Sequence, residues 1–174
     1  MVLLINKQTV ANELQVAIGY DSKEFDAFIR DAQDLDFKPL VCEDFYYELL
    51  QKNDDADWKK LIDGGDYTYN GKPYSFRGLG AVISYFTYAR FFRLSNNVST
   101  SHGFVNKTTP HSTPLANDEK NNMYYKYKKD AHTIFADFKK FIDRNISTYE
   151  SWNSCHEGCG PSIRTTGFKT HVIK

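Results

Sequence analysis

Between Arg77 and Leu94 the chain reads RGLGAVISYFTYARFFRL, and no other stretch limits the possible folds as strongly. Leu79, Val82, Ile83 and Phe86 fall at i, i+3, i+4 and i+7, along one side of an α-helix. Tyr85, Tyr88, Ala89 and Phe92 repeat the spacing and widen that side, leaving Ser84, Thr87, Arg90 and Arg93 as the polar remainder. A helix apolar nearly all round is buried by several neighbours rather than by one. It is too short, and too rich in tyrosine and arginine, to span a bilayer. The stretch is read as the central helix of a compact bundle, and the segments on either side as the elements that cover it.

Those segments carry their own signals. Val2 to Ile5 is a short apolar run, read as a strand or extended arm, and Thr9 starts a short helix that Gly19 ends. Asp21 and Ser22 are N-cap residues for an amphipathic helix with Phe25, Phe28, Ile29, Ala32 and Leu35 on one face, its pattern running to Phe37. Pro39 breaks or kinks it, because the residue before a proline avoids the α region, and a second helix runs from Leu40 to Gln51. A short helix follows from Asp57 to Ile62. Asn70-Gly71, flanked by Tyr67, Tyr69 and Tyr74, is a hairpin signal, since both turn positions need positive φ, and Pro73 marks an edge strand. Asn117-Asp118 caps a last long helix reaching about Asn145, with Tyr127, Ala131, Ile134, Phe135, Phe138 and Ile142 as its stripe. Its lysines read as a solvated face.

Two segments have no such pattern. Residues 96–116 are rich in Ser, Thr and Asn, with Phe104 and Val105 as their one hydrophobic pair; a loop this long in a compact domain is uncommon and usually functional or disordered. After Trp152 the glycines at 158, 160 and 167 and Pro161 break any helix, and Ile163 to Ile173 alternates weakly, as a strand added to a neighbour's sheet edge would. The expected architecture is mainly α: a bundle of four to five helices over residues 1–150, with a β-hairpin at about 66–76, a long loop at about 96–116, and an extended tail over 151–174.

Composition narrows function. Lys+Arg and Asp+Glu both number 22, so formal net charge is zero, which argues against non-specific nucleic-acid binding. The 12 Tyr and 13 Phe are read first as core, which accounts for more than half of them, while tyrosine in such numbers also suits surfaces that meet protein partners. Three cysteines, one of them (Cys42) in an expected helix, do not make a secreted disulfide framework, and the N-terminus lacks the basic start and cleavage site of a signal peptide, so a reducing compartment is expected. No phosphate-binding loop, H-E-x-x-H or G-x-S-x-G motif is present; the glycines of FRGLGAV lack the lysine and spacing of a phosphate loop. No catalytic residue, cofactor or enzymatic activity is expected. One constellation remains: Cys155, Cys159 and His171, with His156 between them, offer thiolate and imidazole ligands for a tetrahedral zinc, although C-x3-C is looser than the usual pair, and free tail thiols are the simpler reading.

The order and wording of LQVAIGYDSKEFDAFIRDAQDLDFKPLVCEDFYYELL, of GGDYTYNGKPYSFRGLGAVISYFTYARF and of NVSTSHGFVNKTTPHSTPL resemble the small head–tail connector (adaptor or ring) proteins of tailed bacteriophages, above all those of crAss-like phages of gut Bacteroidales. The resemblance runs from about Leu3 to Trp152. It implies a structural virion protein, made in the bacterial cytoplasm and placed in the neck. There it forms a dodecameric ring below the portal that seals and extends the DNA channel and gives tail components an attachment site. Partners would be other copies of the chain, the portal and further neck rings, with DNA passing through the channel without sequence-specific binding and no membrane involved. On this reading Tyr67, Tyr69, Tyr74, Phe104, Val105, Trp152, Ile163 and Phe168 are expected at partner contacts. The rival expectation is a small zinc- or nucleic-acid-binding module built on the Cys155/Cys159/His171 tail.

Overall fold

The computed structural model describes residues 2–16, 21–95, 97–100, 103–106 and 115–154. It is mainly helical with a small antiparallel hairpin, as expected. In order the elements are α1 (Lys7–Glu13), α2 (Ser22–Asp31), a π-helical turn (Ala32–Phe37), a 3-10 turn (Lys38–Leu40), α3 (Glu43–Gln51), α4 (Ala56–Asp63), β1 (Gly65–Tyr69), β2 (Lys72–Phe76), α5 (Gly78–Leu94), β3 (Asn97–Thr100), β4 (Gly103–Asn106), α6 (Asn117–Arg144) and α7 (Ser151–Ser154). α5 is the centre, packed by α1, α2, the π turn, α4 and α6. Ten of its residues, from Gly78 to Ala89, are buried, which is why its sequence shows no polar stripe.

Local chemistry sets the ends of these elements. Asp21 accepts from the backbone N–H of Lys23 and Glu24 at 2.7 and 3.1 Å and opens α2, as read from the sequence. α1 begins earlier than expected, because Asn6 rather than Thr9 is its cap: Asn6 accepts from Thr9 N–H at 2.9 Å, and Thr9 in return accepts from Asn6 N–H. At α6, Asn117 and Asp118 lie inside the helix, and Ala116 N–H donates to Glu119 Oε2 at 3.3 Å. Gly64, at the end of α4, and Gly78, at the start of α5, have φ of +78° and +79°, and their backbones come together where the two helices meet.

The amphipathic pattern that runs to Phe37 is not one α-helix. After Asp31 the chain widens into the π turn, tightens through Lys38-Pro39-Leu40, extends at Val41, and starts α3 only at Glu43. The wide turn buries two polar side chains, Gln33 and Asp36, each held by distant partners. The Gln33 amide accepts from Leu4 N–H at 2.9 Å and donates to the Val2 carbonyl at 3.1 Å, so a side chain replaces the neighbouring strand that the extended arm lacks. It also donates to Tyr46 Oη, whose hydroxyl donates to Asp34 at 3.0 Å. Asp36 joins three elements, accepting from Arg90 Nε on α5 at 2.5 Å and Lys128 Nζ on α6 at 2.9 Å.

A run of rings binds the rest: Phe45 on α3 meets Trp58 on α4 and Trp152 on α7, Trp58 meets Tyr149, and Trp152 meets Phe138 on α6. Trp152, expected at a partner, is 2% exposed and donates Nε1–H to Asp143 at 2.7 Å; an indole with its N–H satisfied inside the core cannot also dock outside it. The folded unit therefore runs through Ser154, past the boundary expected at residue 150. The expected loop also changes: 97–100 and 103–106 pair as an antiparallel hairpin, Asn97 opposite Asn106 and Thr100 opposite Gly103. Cys42, expected as a reduced thiol, is buried and disulfide-bonded. No helix among the described residues is long and apolar enough to cross a membrane.

Burial holds the Tyr46 and Tyr149 phenols in their neutral form, raising each pKa to about 12. The Tyr149 hydroxyl also donates to the Asp57 carbonyl at 3.0 Å. Because the folded pKa lies above the unfolded value of about 10, the stability linked to these groups is complete below that pH and is lost as pH rises toward 12. Phenolate absorbance followed with circular dichroism should show these two of the 12 tyrosines ionising last, together with loss of helix. Ionisation of all of them near pH 10 with the helix content intact would contradict the burial described.

Candidate functional site

The β1–β2 hairpin is the element that the sequence marked for contact. Asn70 (φ +51°) and Gly71 (φ +74°) make its two-residue turn, with Tyr69 opposite Lys72, Tyr67 opposite Tyr74 and Gly65 opposite Phe76. Its base is fixed to α6. Phe76 is buried and stacks on Phe141, centroids 3.9 Å apart and planes 12° from parallel, and Tyr67 meets Phe141 edge-on at 4.8 Å. Of the three expected contact tyrosines, Tyr67 is half-buried by these internal contacts, whereas Tyr69 and Tyr74 remain 38% and 37% exposed. Tyr67, Tyr69, Tyr74 and Phe76 share one face of the hairpin, the face toward α6: it is closed at the base over Phe141 and leaves Tyr69 and Tyr74 partly exposed toward the turn.

Arg144, one turn past Phe141 at the end of α6, continues the cover over this face toward the turn. Its guanidinium lies 4.3 Å from the Tyr74 ring centroid, 4.8 Å from Tyr69 and 6.0 Å from Tyr67, and Nη1 donates to Tyr67 Oη at 2.8 Å. Tyr67 and Tyr74 stack at 5.6 Å beneath it. No carboxylate pairs with Arg144 among the described residues. The sequence placed Arg144 in a solvated charge run. Its partners are up to 77 residues away in the chain, so no local pattern announces them. Lys128 is a second departure from that face. Burial lowers its pKa, but bonding to Asp36 outweighs this and leaves it raised.

Of the other expected contact residues, Phe104 and Val105 lie on β4, opposite Ser99 and Val98. Ile163 and Phe168 lie outside the described residues, as do Cys155, Cys159 and His171 of the zinc alternative. Among the described residues no group of three or more His, Cys, Asp or Glu side chains is placed to hold a metal.

The fold defines a small helical protein with a tyrosine-rich hairpin fixed to the end of α6. The chain belongs to a family of unknown function, DUF6712, whose model matches residues 37–162. That span holds the π turn's last residue, the hairpin, α5, α6 and α7. No curated protein and no solved structure matches the chain.

Proposed function

We propose that this chain is a structural assembly protein that forms a ring at the head–tail junction of a tailed bacteriophage, below the portal, around the channel through which DNA leaves. The observation that carries the reading is the hairpin: its base is locked to α6 by the Phe76–Phe141 stack, while Tyr69 and Tyr74 stay exposed on a stiff mount. Tyrosines of this kind, held rigid before contact, are what interface hot spots are made of. The resemblance of Leu3–Trp152 to phage connector proteins supports the same reading, and neutral net charge suits a channel wall along which DNA slides. Ring contacts of this type are heterologous, one patch meeting a different patch on the next copy, and close by rotation.

Mass photometry of the full chain tests it. The wild type should form ring-sized particles, about twelve copies of a 20.1-kDa chain if the symmetry follows the portal's. The Tyr69→Ser/Tyr74→Ser variant should melt like the wild type and remain monomeric. Wild-type particles that stay monomeric at high concentration and in the presence of a portal ring would overturn the proposal.

A further inference from the structure

We infer that the Arg144–tyrosine cluster is a preorganised carboxylate-binding site, built to receive an acidic segment of a partner protein. The inference rests on reading the hairpin as a partner-facing element, and it holds whether or not the chain closes into a ring. The guanidinium is already held between three phenol rings and one hydroxyl, so little side-chain freedom is lost when a ligand arrives. One terminal nitrogen is spent on Tyr67, and among the described residues no carboxylate pairs with the group, which leaves N–H donors for an incoming anion. A guanidinium matches the planar fork of a carboxylate.

The surrounding charge selects the class of anion. Among the described residues Arg144 is the cation stacked on Tyr69 and Tyr74, Lys60 lies 5.9 Å over the Phe141 ring, Lys72 faces Tyr69 across the hairpin, and Asp143 beside Arg144 is acidic. A few cations beside an acid, on a chain of zero formal net charge, suit a short acidic segment; phosphate backbones are bound by an excess of lysines and arginines. Tyr69 and Tyr74, partly exposed beside the guanidinium, add apolar area on which the aliphatic part of a glutamate or a flanking side chain can lie. The ligand is therefore an acidic peptide rather than nucleic acid.

Fluorescence polarisation with a labelled hexaglutamate peptide tests this on the full chain, with a labelled short DNA duplex as the competing probe. Arg144→Gln should weaken peptide binding about tenfold or more, the scale of a lost charge-assisted hydrogen bond. Arg144→Lys, which keeps the charge and loses the fork, should weaken it less and guards against a folding defect in the first variant. Peptide binding unchanged in Arg144→Gln, or tighter binding of the duplex than of the peptide, would overturn the inference. Mass photometry on the same samples separates it from the ring proposal. A monomer that binds the peptide through Arg144 sinks the ring alone, and rings whose peptide affinity ignores Arg144 sink this inference alone.

Discussion

Gly78→Ala is expected to remove about 3–5 kcal/mol of folding stability, a large part of the 5–15 kcal/mol that a domain of this size has. Two costs coincide at this position. An alanine at φ +79° sits in the left-handed region, at about 1–2 kcal/mol. Its Cβ would also run into the Ile62 carbonyl, the Gly64 nitrogen and, at 2.8 Å, the Asp63 carbonyl carbon, all of them backbone atoms that cannot swing away. Gly64→Ala meets the same crossing from the other side, with a Cβ 2.5 Å from the Phe76 carbonyl oxygen. The double variant should therefore cost less than the sum of the two, because both disrupt one contact. Gly71→Ala is the control: φ is +74°, but nothing lies within 4 Å of the added Cβ, so about 1 kcal/mol is expected. Urea unfolding measures all four proteins. A Gly78→Ala midpoint close to that of Gly71→Ala would show that α4 and α5 are not in backbone contact.

Asp36→Ala is expected to cost about 3 kcal/mol, the lower end of what breaking a buried ion pair from one side costs. The Asp36 side chain is 4% exposed and bridges Arg90 and Lys128, whose side chains are 18% and 30% exposed. Removing it leaves two cations facing each other across α5 and α6 with no anion between them, partly relieved by water reaching Lys128. Asp36→Leu combined with Arg90→Met should recover much of the loss, since apolar replacement of a buried pair is often neutral. Lys52→Ala, which breaks an exposed i,i+4 pair with Glu48, should shift stability far less, because water screens that pair. Thermal melts at matched salt give the comparison. Equal effects of Asp36→Ala and Lys52→Ala would mean that Asp36 is solvated rather than buried.

The parts of this fold that the sequence made legible are those decided within a few residues. The α5 stripe is periodic in its own residues, the Asn70-Gly71 turn needs two positive φ values that its residues tolerate, and Asp21 caps a helix whose first N–H groups lie next to it. What the sequence hid was decided at long range. The π turn keeps an apolar spacing that reads as α-helix, and its reason lies in Val2, Leu4, Arg90 and Lys128, which satisfy Gln33 and Asp36 from elsewhere in the chain. The glycines at 158, 160 and 167 and Pro161 suggested that everything past residue 150 is tail, yet Trp152 returns to pack against Phe45 and Phe138. The same limit divides the candidate site. The tyrosines announced themselves by flanking a turn, whereas Arg144 joins them only because α6 runs back alongside α5 and brings its last turn to the hairpin base.

That last junction has a mechanical consequence. α6 is 28 residues long, a rod of about 42 Å, and the hairpin is clamped to one end of it through Phe141 and Arg144. A load applied at the Asn70-Gly71 tip is therefore not absorbed by a swinging flap. It passes into the rod, whose opposite end lies at Ala116 and Glu119.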